Sequence, residues 1–155
     1  MRYWFVRALL LLASACSIAP SADERQVVLT VQSVFDGMED RDAESIRPLL
    51  CENAQIIAVR IVDGQPVIRV TTAQQFLESI GAGSEPFVER LFSPEIDVRG
   101  DFAFASMGYD FHRGTTYSHH GVDRITLVRI EGRWRIASIV YSIDPSSKSS
   151  PYGGL

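Results

Sequence analysis

The sequence predicts an α+β domain in which helices come first and a run of antiparallel strands follows. Three observations carry this expectation. Apolar residues between Val27 and Met38 recur at spacings of three, four and seven, the period of a helix with one buried face. Two-residue turn signals, Asp63-Gly64 and Glu131-Gly132, sit between runs of β-branched residues. From Val88 onward one strand-like segment succeeds another, and no helical period returns.

The chain opens MRYWFVRALLLLASACSIAPSA, two arginines with an apolar run that ends in small residues. This is the layout of a secretory signal, so residues 1–22 are set aside from the fold and the protein is expected outside the cytoplasm, periplasmic or secreted. The apolar stretch is interrupted by Arg7 and is shorter than the roughly 20 residues that span a bilayer. LASAC resembles a bacterial lipoprotein box, in which Cys16 would carry a lipid and hold the protein at a membrane; simple cleavage near Ala15 or Ala22 satisfies the same residues.

After the leader the first helix runs through Val27, Val28, Val31, Val34, Phe35 and Met38. Asp42 can cap a short second helix whose Ile46, Leu49 and Leu50 face inward, with Pro48 limiting its regularity. AQIIAVRIVDGQPVIRV then reads as two strands joined at Asp63-Gly64. In TTAQQFLESIGAG, Thr71 or Thr72 stands at capping-box distance from Gln74 or Gln75, Phe76, Leu77 and Ile80 make an apolar face, and Gly81 stops the helix. Four antiparallel strands follow, with turns at Arg99-Gly100-Asp101, Arg113 to Thr116 and Glu131-Gly132. The RGD tripeptide is read as a hairpin turn and not as an adhesion signal. The domain therefore covers 23–144, and the Ser-, Pro- and Gly-rich residues 145–155 form a loose tail.

Composition excludes several classes. Beyond the leader only Cys51 remains, so no disulfide can close within the domain and the fold must rest on its core. The 15 basic and 19 acidic residues are mixed, with no basic stripe after the leader, which argues against nucleic acid as a partner. Ser106, Ser118 and Ser138 lack any strained turn or oxyanion-donor pattern, and Cys51 lies among apolar residues, so nucleophilic catalysis is not expected.

All three histidines lie in YDFHRGTTYSHHGVD, residues 109–123, with Asp110, Tyr117 and Asp123 among them. Which of them share a face follows from turn parity. A two-residue Glu131-Gly132 turn pairs Arg129 with Trp134, Leu127 with Ile136, Ile125 with Ser138 and Asp123 with Val140, and this largely apolar face is taken as inward. An even turn across Arg113 to Thr116 then puts Phe102, Phe104, Asp110 and His112 on the side of Tyr117, His119, Asp123 and Ile125. Met107, Tyr109, Phe111 and His120 fall on the other side, unless an odd turn or a bulge exchanges His119 for His120.

Two stretches, VFDGMEDRDAESIRPLL and VDRITLVRIEGRWRIASIVYS, carry a family resemblance that spans about residues 24–144. They are similar to the first two helices and the terminal Gly-x-Trp hairpin of the nuclear transport factor 2-like superfamily, including its lumazine-binding and polyketide-cyclase-like branches. The resemblance implies a cystatin-like cone, a curved antiparallel sheet wrapped around about three helices, with a pocket between them and frequent dimerisation through the outer sheet face. It implies no particular chemistry, since the superfamily holds isomerases, dehydratases, hydrolases and proteins that catalyse nothing.

Two functions follow as expectations. The first is a domain that binds a small, partly apolar molecule in the cone, with His112, Phe102, Phe104, Trp134 and Ile125 as ligand contacts and a homodimer as the assembly. The second is a cofactor-independent lyase or isomerase in which Asp110 or Asp123 holds His119 as a proton acceptor and Tyr117 donates. No cofactor and no metal is expected, because His112, His119, Asp110 and Asp123 form no motif with metal-ligand spacing. Arg60 and Arg69 flank the first hairpin and can orient an anionic ligand by bidentate contact, but exposed strand positions are the favoured account of them.

Overall fold

A computed structural model describes residues 19–144 and 146–153. Residues 1–18 of the leader lie outside the described residues. Helix α1 (Ala22–Glu39) starts at a capping box in which Ser21 accepts from the Glu24 amide and the Glu24 carboxylate accepts from the Ser21 amide. Of the residues the periodicity names, Val27, Val31, Val34, Phe35 and Met38 are buried and Val28 is half-buried; Gly37 is buried beside them. Asp42 caps α2 (Ala43–Ile46), and Pro48 turns the chain into a 3-10 turn at Arg47–Leu49. Leu50 already belongs to the first strand.

Strands β1 (Leu50–Val62) and β2 (Gln65–Thr72) form the first hairpin, with Asp63 and Gly64 both at positive φ as its two-residue turn demands. Thr72 and Gln75 make the capping box of α3 (Ala73–Gly81), which buries Ala73, Leu77 and Ile80. Strands β3 (Phe87–Arg99), β4 (Phe102–Arg113), β5 (Thr116–Ile130) and β6 (Arg133–Ile143) complete one six-stranded sheet in the order β2-β1-β6-β5-β4-β3. Every neighbouring pair is antiparallel except β1 and β6, which run parallel. The sheet is curved and unclosed, and the three helices lie in its concave side, so the α+β cone is the observed fold.

Both decisive turns have two residues, as the sequence suggests, yet two bulges reset the faces. Phe111 pairs with His119 and His112 with Tyr117, which leaves Ser118 as an extra residue in β5. Leu127 pairs with Ile136 and Thr126 with Ser138, which leaves Ala137 extra in β6. Each bulge exchanges the faces beyond it, because side chains alternate with a period of two. Inward on β4 are Ala103, Ala105, Met107 and Tyr109, all buried, while Phe102 and Phe104 are 40% and 46% exposed and rest edge-on against each other outside. Both parities of FAFASMGYDF carry apolar residues. The helices come close enough that alanines fit beneath them, and the two phenylalanines are left outside. On β6 the inward residues after the bulge are Ile139 and Tyr141, not Val140.

Residues 146–153 are not loose. The Tyr152 ring stacks on Phe92 with centroids 3.9 Å apart, Arg90 donates to the Gly153 carbonyl at 2.8 Å, and the Ser150 hydroxyl donates to Asp110. One aromatic residue and one hydroxyl give this polar segment its anchorage, which composition alone does not reveal. A Cβ on Gly108 would stand 2.3 Å from the Tyr152 phenol oxygen. Gly108→Ala is therefore expected to release the segment, seen as faster tryptic cleavage at Lys148 with thermal unfolding of the domain shifted by only about 0.5 kcal/mol. Unchanged cleavage would show that the contact does not hold the segment.

Candidate functional site

Between the sheet and helices α1 and α3 lies a cavity of about 720 Å³. Its walls are apolar: Phe35, Met38, Phe76, Ile80 and Phe111 among others. Two carboxylates, Glu89 on β3 and Asp123 on β5, are the acidic side chains that line it, joined by His119 and Tyr141. Glu89 occupies the inward parity of an otherwise apolar alternation, Phe87, Leu91, and after the Ser93-Pro94 irregularity Ile96 and Val98. An acid in that phase is the one sequence signal that marks it, and sequence reasoning passed over it.

Asp123 is 1% exposed, and Glu89 keeps part of its surface open to the cavity. Burial pushes the Asp123 carboxyl up to about 7, against the opposing effect of its hydrogen bond with Glu89. Burial first, then the charge of Asp123, raises Glu89 well above the ordinary carboxylate range. The charge of Asp123 in this low-dielectric site thus favours the protonated form of Glu89. Asp123 Oδ2 has no further hydrogen-bond partner among the described residues. It is free to accept from an occupant of the cavity.

The surroundings preserve this arrangement. Tyr109 reaches across to donate to the Ser142 carbonyl at 2.8 Å, and burial together with the acid pair keeps its phenol protonated. Gly121, between His119 and Asp123, permits that crossing: a Cβ there would meet the Ser142 carbonyl oxygen at 2.0 Å. His119 lies edge-on to Tyr109 and tilted against Phe111, its Nδ1 3.0 Å from the Ser118 hydroxyl. Burial, then the charges of His120 and Arg113, pull its pKa down to about 4, so the imidazole is neutral at pH 7.

The sequence reading thus places His119 and Asp123 correctly on the inner face, and Trp134 and Ile125 also point inward. Trp134 and Ile125, however, are core residues and do not line the cavity. Asp110, His112 and Tyr117 need correction, because the Ser118 bulge sends them to the outer face. There Asp110 is fully buried under the tail, gripped by Arg90, whose Nε donates to Oδ1 at 2.9 Å, and by Ser150. Burial pushes the Asp110 carboxyl up, but the hydrogen bonds from Arg90 and Ser150 and the Arg90 charge outweigh it and leave the group below its ordinary value. His112 Nδ1 stands 3.7 Å from Asp110 Oδ1, and the Tyr117 hydroxyl meets His120 Nδ1 at 2.8 Å. Phe102 and Phe104 are outside as well. Neither Asp110 nor Tyr117 is positioned to serve His119. Among the described residues no group of three His, Cys, Asp or Glu side chains is placed to hold a metal.

Residues 22–142 match the protein family described as "Putative lumazine-binding". The chain belongs to that family. Solved structures agree on the fold. A nuclear transport factor 2-like protein of unknown function from Shewanella baltica is 22% identical, with 80% of this chain and 95% of that one covered at a TM-score of 0.61. A cystatin-like protein of unknown function from Nostoc punctiforme is 10% identical, covering 83% and 97% at a TM-score of 0.64. A Streptomyces avermitilis member, described as a "putative dehydratase", is 18% identical and covers 79% and 96% at a TM-score of 0.60. No curated protein matches the chain. The solved structures share the cone, and the chemistry must be argued from this chain's own side chains.

Proposed function

We propose that the protein is an exported nuclear transport factor 2-like domain that binds a small, partly apolar molecule in its cone. The observation that carries this reading is the 720 Å³ cavity, apolar along its walls and polar at the Asp123–Glu89 pair. That is the composition of a ligand pocket, in which apolar walls supply affinity and a few convergent polar groups fix orientation. The proton held by the pair donates to an acceptor on the ligand, and Asp123 Oδ2 accepts from a donor. The lumazine of the family description, a heterocycle carrying both, is one molecule of this kind.

Export rests on the leader pattern. Cleavage near Ala15 or Cys16 keeps Ser21, the α1 cap, whereas a cut after Ala22 removes it at a cost of about 1 kcal/mol. The lipid on Cys16 remains part of the first alternative. Among the described residues no helix is long and apolar enough to cross a membrane. We place a homodimer contact on the outer sheet face, where Ile68, Val70 and Phe104 stand exposed.

Native mass spectrometry of the exported protein tests these points together. The expected result is a dimer that retains a small molecule in the parent and loses it in Asp123→Ala. An empty cone in both would sink the binding reading, and a monomer would sink the dimer.

A second reading, a cofactor-independent lyase or isomerase, is favoured by one specific observation: Asp123 is held near neutrality in an apolar cavity, the tuning a general base needs. Asp123 takes a proton from carbon beside a ligand carbonyl while Glu89 donates to the oxygen; neutral His119 stands by as a second acceptor. The retained molecule, incubated in deuterium oxide, is then expected to exchange hydrogen with the parent and not with Asp123→Asn. Equal exchange in both removes this reading.

A further inference from the structure

Resting on the pocket reading, the geometry points to an anionic ligand: an apolar molecule with a neutral hydrogen-bonding head at Asp123 and Glu89 and a carboxylate or similar anion at Arg69 and Arg113. These two arginines line the same cavity as the acid pair, Arg69 from β2 and Arg113 from the tip of the β4–β5 hairpin. Neither forms an ion pair with a carboxylate among the described residues.

Sheet register sets their distance from the head site. Arg69 pairs with Ala58, Ala58 with Tyr141, and Tyr141 with Asp123, so one inward row runs from the arginine to the acid. Three strand spacings separate their backbones by about 14 Å. Arg69 and Tyr141 line the same cavity, and the Arg69 charge acts on the Tyr141 phenol. Arg113 acts likewise on His119, and its guanidinium lies 5.6 Å from the Phe87 ring. Arg41 stacks on Phe87 at 3.9 Å, with its Nε donating to the Gly83 carbonyl and its Nη2 to the Ser79 carbonyl.

The opening is therefore cationic and the floor acidic, with apolar wall between. A cationic ligand meets repulsion at the mouth, and a neutral one gains nothing from the two guanidinium groups, whose residues stand exposed to water. An anion separated from its polar head by an apolar body matches both ends, since the planar guanidinium suits a carboxylate in particular.

The test compares two probes of the same length, 10-hydroxydecanoate and decane-1,10-diol, by isothermal titration calorimetry at pH 7 and low salt. The hydroxy acid is expected to bind at least about tenfold more tightly than the diol. Arg69→Gln should lower its affinity about three- to tenfold, and Arg113→Gln about threefold, with the diol unaffected by either. Asp123→Ala should weaken both probes. Equal binding of acid and diol by the parent overturns the anion inference and leaves the pocket reading standing. Failure of both probes to bind overturns the two together.

Discussion

At pH 8 the Asp123→Asn variant is expected to be more stable than the parent, by an amount on the order of 2–4 kcal/mol. The folded carboxyl has its pKa raised from 3.8 to about 7, so the native state holds a proton that the unfolded chain has already released. Stability tied to this group is therefore fully present below about pH 4 and is lost as the pH rises to 7 and beyond. Glu89 is raised as well and adds in the same direction. His119 works oppositely on the acid side: its pKa is lowered from 6.5 to about 4, so stability is lost as the pH falls through that window. Between pH 4 and 6.5 the Asp123 and His119 trends oppose each other, so urea unfolding from pH 4 to 9 should give stability that falls most steeply near pH 6.5–7. Asp123→Asn should flatten that fall, and His119→Gln should raise stability toward pH 4. An asparagine variant less stable than the parent at every pH would show that Asp123 supports the fold instead of burdening it. A group that costs stability at neutral pH and opens onto a cavity is what a functional residue looks like.

Trp134→Ala is expected to cost about 3–5 kcal/mol in unfolding free energy while leaving the affinity of the cone for 10-hydroxydecanoate within about twofold of the parent. Trp134 is 4% exposed within the core cluster, and the Arg129 guanidinium lies 4.5 Å over its ring. Arg129 in turn bridges to Asp23 of α1 at 2.6 Å and to Asp101 in the β3–β4 turn at 3.4 Å, so the ring also seats a clasp between helix and sheet. Alanine would leave both a cavity and an arginine without its platform. Urea unfolding and calorimetry of the same preparation separate the two roles. A stability change under 1 kcal/mol with binding abolished would return Trp134 to the ligand site that the sequence suggested for it.

Legibility in the sequence followed the range of each signal. The helices were readable because their periods and caps, Asp42 for the second and Thr72 with Gln75 for the third, are local. The turns at Asp63-Gly64 and Glu131-Gly132 were readable because positive φ demands particular residues. Ser118 and Ala137 gave no such notice. An extra residue in a strand is defined by its partner strand, and nothing about these two amino acids distinguishes them from paired ones. Two consequences followed. Asp110, His112, Tyr117, Phe102 and Phe104 moved to the outer face, and Glu89, twenty or more residues from any histidine, became the partner of Asp123.

The amino-acid sequence by itself determined the order and kind of the elements, the absence of a disulfide within the domain, and the inward placement of Asp123 and Trp134, since hydrophobic period and turn chemistry act over a few residues. Tertiary structure alone decided the parallel pairing of β1 with β6, the seat of residues 146–153 on β3 and β4, and the meeting of Asp123, Glu89 and His119 in one cavity. Those depend on strand register between distant segments, which packing against the helices selects and no local pattern encodes.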